Sequence, residues 1–331
     1  MQRYFKADSV ENITPFRSYR NALQERYGAK TYKLTLSGGR TCPTRDGSFG
    51  PKKGWGGCSF CDIHGSASYF ANENKKHPIR LQLDAASNAI RTRYKAEKFI
   101  AYFQSYTTTH QEIEEYKHRY DEAVRYKDVV ALAVGTRPDC LPDEVLDVLC
   151  SYLDRVDVYL ELGVQSLQDE VLDWFERGHD VACAVNAMER SLTRAKKLST
   201  LPHRFDISAH LIIGAPMETE KNLIDAALKL NSLGIHGVKI HHLHILKKTK
   251  LAARYQKNEF SLLEMDDYLE RVANFIRHLS PEIIIHRTHG LAPHPEELIG
   301  PAWSMWKAHP AEKLKVMMRD RGWKQGDLLT P

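Results

Sequence analysis

Residues 129–134 read Val129-Val130-Ala131-Leu132-Ala133-Val134, and the polar turn Gly135-Thr136-Arg137-Pro138-Asp139 follows at once. Pro142-Asp143-Glu144 then opens an amphipathic stretch to Leu153, as a proline and two acids open a helix. A second apolar run, Val158-Tyr159-Leu160-Glu161-Leu162, leads into Gly163-Val164-Gln165-Ser166. This is a strand–helix–strand unit, and the alternation recurs along the chain. Apolar runs at 32–36, 99–103, 129–134, 158–162, 207–213 and 238–245, with a possible seventh at 283–286, are separated by helical patterns. Those patterns cover 84–94, 111–126, 142–153, 169–177, 182–198, 220–233 and 262–279. Strands alternating with helices of this length build a parallel sheet. The expected fold is α/β, a partial parallel (β/α)6 TIM-like barrel. A doubly wound open sheet is the competitor, but no strand–GxGxxG–helix segment occurs, and no Gly-Lys-Ser/Thr follows the glycine-rich 47–57. The expected organisation is an N-terminal extension over 1–31, a barrel over 32–300 and a basic C-terminal helical tail over 301–331. Barrel chemistry sits on loops at the C-terminal strand ends.

The chain has 331 residues, is 42% hydrophobic and carries a formal charge of +5. Its lysine pairs (Lys75-Lys76, Lys196-Lys197, Lys247-Lys248) are scattered, and residues 303–324 hold more Lys and Arg than acids. That is compatible with a nucleic-acid partner, although charge alone reads as a solvated surface. Met1-Gln2-Arg3-Tyr4-Phe5-Lys6 leads into polar sequence and not into an apolar signal core. No run reaches the length of a membrane span. The expectation is a cytoplasmic protein with no membrane association.

A cytoplasmic address argues against pairing the six cysteines as disulfides. Three of them crowd one glycine-rich loop after the first strand: Ser37-Gly38-Gly39-Arg40-Thr41-Cys42-Pro43, then Gly56-Gly57-Cys58-Ser59-Phe60-Cys61-Asp62. Cys140, Cys150 and Cys183 are dispersed and read as small buried hydrophobes. Three thiolates can hold a four-iron cluster with one iron left open. Cys42, Cys58, Cys61 and His64 could equally form a Cys3His zinc knuckle, and local spacing leaves both open.

Cys58-Ser59-Phe60-Cys61 resembles the signature of radical SAM enzymes, with Phe60 next to the cofactor. The fifteen residues between Cys42 and Cys58 exceed the usual family spacing and resemble the subgroup of the Elongator catalytic subunit and the YhcC family. Further similar elements follow in order, each at a strand end or just beyond. Phe103-Gln104-Ser105-Tyr106-Thr107 takes the place of the family's Gly-Gly motif, without its glycines. Thr136-Arg137-Pro138-Asp139 is similar to the Thr-Arg-Pro-Asp element of the Elongator subgroup. Gly135 stands where relatives are often acidic, a contact that Glu161 is expected to replace. Gly163-Val164-Gln165 with Arg177-Gly178-His179 is similar to a pattern in which the amide meets ribose and the guanidinium the methionine carboxylate. His210 falls at a ribose-contacting position, in the strand that ends in a Gly214-Ala215-Pro216 turn. Lys239 is expected to point inward. In Lys239-Ile240-His241-His242-Leu243-His244, two-residue alternation puts His241 on one face and His242 and His244 on the other, which argues against a histidine metal site.

The resemblance spans about residues 32–290 and implies a radical SAM barrel. It implies a [4Fe-4S] cluster on Cys42, Cys58 and Cys61, and S-adenosylmethionine (SAM) bound by Phe60, Gln104, Ser105, Tyr106, Thr107, Arg137, Gln165, Arg177 and His210. Reductive cleavage of SAM to a 5′-deoxyadenosyl radical is the implied activity. An external electron donor of flavodoxin or ferredoxin type is the implied partner. Similarity to the Elongator subunit points to tRNA as a further partner, through wobble-uridine modification, with Trp303, Trp306 and Trp323 as candidate stacking residues. Both extensions are expected to serve the substrate. The alternatives are a radical SAM enzyme for a porphyrin-type or other cofactor intermediate, and a non-enzymatic zinc-binding RNA protein.

Overall fold

A computed structural model describes residues 14–38, 41–50, 56–65, 68–292 and 294–329. The order of elements starts with α1 (Tyr19–Tyr27), β1 (Thr31–Leu36), α2 (Pro43–Asp46), α3 (Tyr69–Glu73), α4 (Ile79–Tyr94) and β2 (Lys98–Phe103). It continues through α5 (Ile113–Val124), β3 (Val129–Thr136), α6 (Asp143–Cys150), β4 (Asp157–Gln165), α7 (Asp169–Trp174), α8 (Val181–Lys197) and β5 (Phe205–Ile213). The remainder is α9 (Glu220–Leu233), β6 (Gly237–His242), β7 (Ile245–Leu246), α10 (Lys250–Gln256), α11 (Met265–Arg277), β8 (Ile284–Arg287), β9 (Leu298–Gly300) and α12 (His309–Asp320).

Seven strands form one sheet in the order β1-β2-β3-β4-β5-β6-β8, every neighbouring pair parallel, curled into a half-barrel. The possible strand at 283–286 is therefore real and supplies β8, one residue later. The run 238–245 splits: β6 stops at His242, and β7 pairs antiparallel with β9 in a separate ribbon.

Two-residue alternation sorts the strand side chains. Phe99, Ala101 and Phe103 join the core under the helices, whereas Ile100 and Tyr102 join Ala131, Ala133 and Tyr159 inside the barrel. Leu23 of α1 closes this inner cluster. Ser18 caps α1, its Oγ accepting from the Asn21 N–H at 3.3 Å. The helix is then pinned at the N-terminal end of β4. Arg26 forks onto the fully buried Asp157 carboxylate with bonds of 2.8 and 2.6 Å, and the Tyr27 hydroxyl donates to it at 2.6 Å. Residues 14–30, the described part of the expected N-terminal extension, thus plug the end of the barrel away from the C-terminal strand ends. Residues 1–13 of that extension lie outside the described residues.

The tail packs down as well. Leu314 and Met318 of α12 are buried in the main core. Trp303 is buried and donates Nε1 to the Leu263 carbonyl at 3.2 Å. Trp323 lies between the guanidiniums of Arg277 and Arg321, at 4.3 and 4.6 Å. Only Trp306 of the three stays exposed, at 48%. Trp303 therefore anchors the tail and is closed to a bound base, and Trp323 is half-buried beside the two guanidiniums. Among the described residues no helix is long and apolar enough to cross a membrane.

Candidate active site

The loops at the C-terminal strand ends enclose a cavity of about 540 Å³. Cys42, Cys58 and Cys61 line it, together with Phe60, Gln104, Tyr106, Thr107, Arg137, Gln165, Arg177 and His210. Ser105 is buried but is not on the wall, and its hydroxyl finds no partner among the described residues. It is the one expected cofactor contact that the fold does not bring to the cavity.

Cys42 sits at the N-cap position of α2, where Pro43 starts the helix and the Cys42 carbonyl accepts from the Arg45 N–H at 2.7 Å. Cys58 and Cys61 share a tight turn, Cys61 N–H to Cys58 carbonyl at 3.0 Å. That turn is strapped down on both sides: Ser59 N–H donates to the Phe175 carbonyl at 2.8 Å, and Leu251 N–H to the Ser59 carbonyl at 3.0 Å. Phe60 packs edge-on against Phe175 with centroids 5.1 Å apart, so it braces the turn as well as lining the cavity.

Cationic and hydroxyl donors surround the thiols. The Thr44 hydroxyl lies 3.5 Å from Cys42 Sγ and 3.8 Å from Cys58 Sγ. Thr107 donates to Cys42 Sγ at 3.1 Å. Arg137 Nη1 is 3.6 Å and Arg177 Nη1 3.3 Å from Cys58 Sγ, and Arg45 Nη2 is 3.2 Å from Cys61 Sγ. Burial pushes the Cys58 thiol up, but Arg177 and Arg137 outweigh it and hold it below its ordinary value. At Cys61 burial wins over Arg45 and pushes the thiol up to about 11. Guanidinium groups placed on sulfur favour thiolate, the form that binds metal. His64 faces away from this set, toward Glu297 at 3.7 Å and the His294 ring at 4.4 Å. The fourth ligand of a zinc knuckle is therefore engaged elsewhere.

Two further elements converge at the thiols. Arg137 is clamped on Asp139 by two bonds of 2.8 Å, and its Nη2 donates to the Arg177 carbonyl at 2.6 Å. Arg177 Nη2 donates to the Gly163 carbonyl at 2.7 Å, while its Nε is buried with no partner among the described residues. Gln165 stands at a register shift between β4 and β5 with φ of +71°, and its Oε1 is also buried without a partner among the described residues. A non-glycine side chain adopts that backbone at a cost on the order of 1–2 kcal/mol, and the turn aims the amide into the cavity. Gly163 makes room for both groups. A Cβ there would stand 2.8 Å from Gln165 Nε2 and 2.9 Å from Arg177 Nη2.

Glu161 and Lys239 form the cavity floor. Lys239 points inward as expected, and its Nζ donates to Glu161 at 2.6 Å and to the Tyr102 hydroxyl at 2.7 Å. Lys33 also pairs with Glu161. Burial opposes ionisation of Glu161, yet Lys239 and Lys33 hold it well below the ordinary carboxyl range. Its carboxylate lines the same cavity, with its charge shared between the two lysines.

The histidine alternation fails for a local reason. Because β6 ends at His242, the chain turns and brings His244 beside His241, their ring centroids 4.6 Å apart. His241, His242 and His244 all line the cavity, with His210, Arg287, His289 and Lys307. Burial lowers all three strand-end imidazoles and His210 below the ordinary histidine value, so they are neutral at pH 7. Among the described residues, no three His, Cys, Asp or Glu side chains converge as a single-ion site requires. Arg45, Arg287 and His289 are cavity residues that the sequence reading did not single out.

Comparison with known proteins gives this geometry its family. The Radical SAM superfamily profile matches residues 54–230, and the Radical_SAM C-terminal domain profile matches 235–319. The chain belongs to the radical SAM superfamily. It is 38% identical over 283 residues to Protein YhcC of Escherichia coli K12, covering 85% of each chain. Over 157 residues it is 28% identical to a tRNA uridine(34) acetyltransferase of Methanocaldococcus jannaschii, covering 46% of this chain and 26% of the relative. Its fold is similar to that of Methanocaldococcus infernus Elp3, with a TM-score of 0.66, 16% identity, and coverage of 90% of this chain and 64% of that one.

Enzymes of this superfamily use a [4Fe-4S] cluster and SAM, and the residues present suit both. Cys42, Cys58 and Cys61 supply the thiolate donors a cluster needs, inside a cationic surround. Gln165 Oε1 and Arg177 Nε, unpartnered among the described residues, are buried polar atoms whose desolvation a bound polar group would offset.

Proposed function

We propose that this radical SAM enzyme acts in the modification of wobble uridine in tRNA, with Cys42, Cys58 and Cys61 holding the cluster. The observation that carries the substrate half is the similarity to a tRNA uridine(34) acetyltransferase over 157 residues of this chain. Lys307 lines the cavity and its neighbour Trp306 is exposed, which suits a splayed base, because single-stranded RNA is read by stacking and by phosphate contacts. The acetyl-transfer chemistry of that relative is not carried over, since the alignment covers only 26% of it.

When bound, the cluster and SAM supply one-electron reductive cleavage of the sulfonium carbon–sulfur bond. The chain's own residues do the rest. Arg177 forks onto the SAM carboxylate, a charge-assisted bond worth roughly 1.5–3 kcal/mol, and Gln165 meets the ribose hydroxyls. Arg137, locked by Asp139, fixes Arg177 through its carbonyl and keeps positive charge at the sulfurs. Gln104, Tyr106, Thr107 and His210 complete the wall and exclude water. An external donor of flavodoxin or ferredoxin type delivers the electron.

One observation favours the small-molecule alternative. The tail's cations are matched by acids, Lys315 with Glu312 at 2.8 Å and Arg321 with Glu270 at 2.6 Å, while Lys313 pairs with Asp266. Paired charges make a weaker polyanion surface than the sequence suggests. Mass spectrometry of tRNA nucleosides from cells lacking the gene decides between the two. The tRNA reading expects loss of one wobble-uridine derivative with build-up of its precursor, and an unchanged profile refutes it.

A further inference from the structure

We infer that Arg287 anchors an oxyanion of the substrate, a carboxylate or a phosphate, in the stretch of cavity wall that it shares with His210, His241, His289 and Lys307. The inference deepens the reading of this cavity as the SAM-dependent site and rests on it.

Arg287 is the last residue of β8, paired in register with Lys239 of β6. Its Nη2 reaches His210 Nε2 at 3.3 Å, and its Nε is buried without a partner among the described residues. The nearest interior carboxylate, Glu161, is already held by two lysines. The other guanidiniums in the cavity each hold an acidic or sulfur partner, Arg137 on Asp139, Arg177 on Cys58 and Arg45 on Cys61, and Arg177 keeps one free donor, its Nε, among the described residues.

The wall as a whole is short of negative charge. Of the cations that line it, Arg137 is answered by Asp139, Lys239 by Glu161, and Arg45 and Arg177 by the cysteine sulfurs, which leaves Arg287 and Lys307 without an acidic partner among the described residues. The neighbouring imidazoles bring no counter-charge. His210 accepts from Arg287, His241 Nδ1 is bonded to the His242 carbonyl at 2.6 Å, and His289 Nε2 to the Lys307 carbonyl at 3.0 Å. SAM does not repair the deficit, because its one carboxylate is balanced by its own ammonium and sulfonium groups. A guanidinium withdrawn from water without an anion is costly. A planar fork with free donors matches a two-oxygen anion better than any neutral group. The packing keeps the space in front of His241 tight, since a Cβ at Gly290 would stand 1.9 Å from its Nε2. The imidazoles are therefore a fixed rim around the guanidinium.

The test titrates inorganic phosphate and acetate separately, by calorimetry at low ionic strength, into cluster-loaded protein with SAM bound. Wild-type protein binds at least one of them, and the one it binds identifies the substrate group as phosphate or carboxylate. Arg287→Gln weakens that binding by about tenfold or more. Arg287→Lys falls between the two, keeping charge but losing the fork. Equal affinity in wild type and Arg287→Gln, or no binding of either anion to wild type, overturns the assignment. Where Arg287→Gln does not fold, as judged by its thermal melt, Arg287→Lys decides, and an affinity equal to wild type overturns it. Release of 5′-deoxyadenosine from the same wild-type preparation on reduction is read separately. Arg287-dependent anion binding in a protein that releases none keeps the subsite and defeats the radical reading, and the reverse pattern does the opposite.

Discussion

At the residue scale the site depends on small differences of place. Gln165 and Arg177 come from a strand end and from the turn after a short helix, and Gly163 alone lets their side chains pass. A methyl group there pushes on both of the groups proposed to hold SAM while leaving the main core untouched. Gly163→Ala is therefore expected to weaken SAM binding by roughly tenfold, about 1.4 kcal/mol, with the melting temperature changed little. Equilibrium binding of SAM to cluster-loaded protein checks this, and unchanged affinity would show that Gln165 and Arg177 do not hold SAM. The motif residues were legible in the sequence because each follows an apolar run, and the barrel rule turns that order into proximity. Arg45 was not legible: it lies in a polar loop whose short helix has no apolar period, and only the folded turn puts its guanidinium at Cys61. Arg287 carried a weak signal, as a basic residue ending a possible strand.

At the scale of elements, the strands were read well and the boundaries less so. Helix α4 starts at Ile79, five residues before its amphipathic period becomes visible at residue 84, because Pro78 precedes it as a natural stop for the extended chain. The end of β6 at His242 had no glycine or proline to announce it, and this is why the histidines were assigned to opposite faces. The turn after β5 carries a pH signature of its own. Glu218 is buried there, its carboxylate accepting from the Gly214 N–H at 2.8 Å, and burial raises its carboxyl to about 7. A carboxyl raised in the fold binds its proton more tightly when folded. Its contribution to stability is complete below the ordinary value of 4.5 and is lost as pH rises to about 7. The loss is at most on the order of 3 kcal/mol. Glu218→Gln should therefore remove this part of the decline between pH 5 and 8. Urea midpoints of the two proteins across that range measure it, and parallel profiles would refute the assignment.

At the scale of the molecule, the half-barrel has a division of labour between its ends. Helix α1 seals the N-terminal end through Asp157, and the C-terminal end holds the thiols, the guanidiniums and the histidine rim around one cavity. The sequence conveyed the βα alternation and the three-cysteine loop. It could not convey which tail tryptophan is used for packing, as Trp303 is, and which stays exposed, as Trp306 does, because a tryptophan among basic residues looks the same whether it faces solvent or a core. The account as a whole stands on three thiols holding a cluster that opens SAM. The most direct measurement is release of 5′-deoxyadenosine when anaerobically purified, dithionite-reduced protein is mixed with SAM, alongside its iron content. The account predicts about four irons per chain, release of 5′-deoxyadenosine by wild type, and loss of that release in Cys61→Ala. Colourless protein loaded with zinc, or release that survives Cys61→Ala, would contradict it.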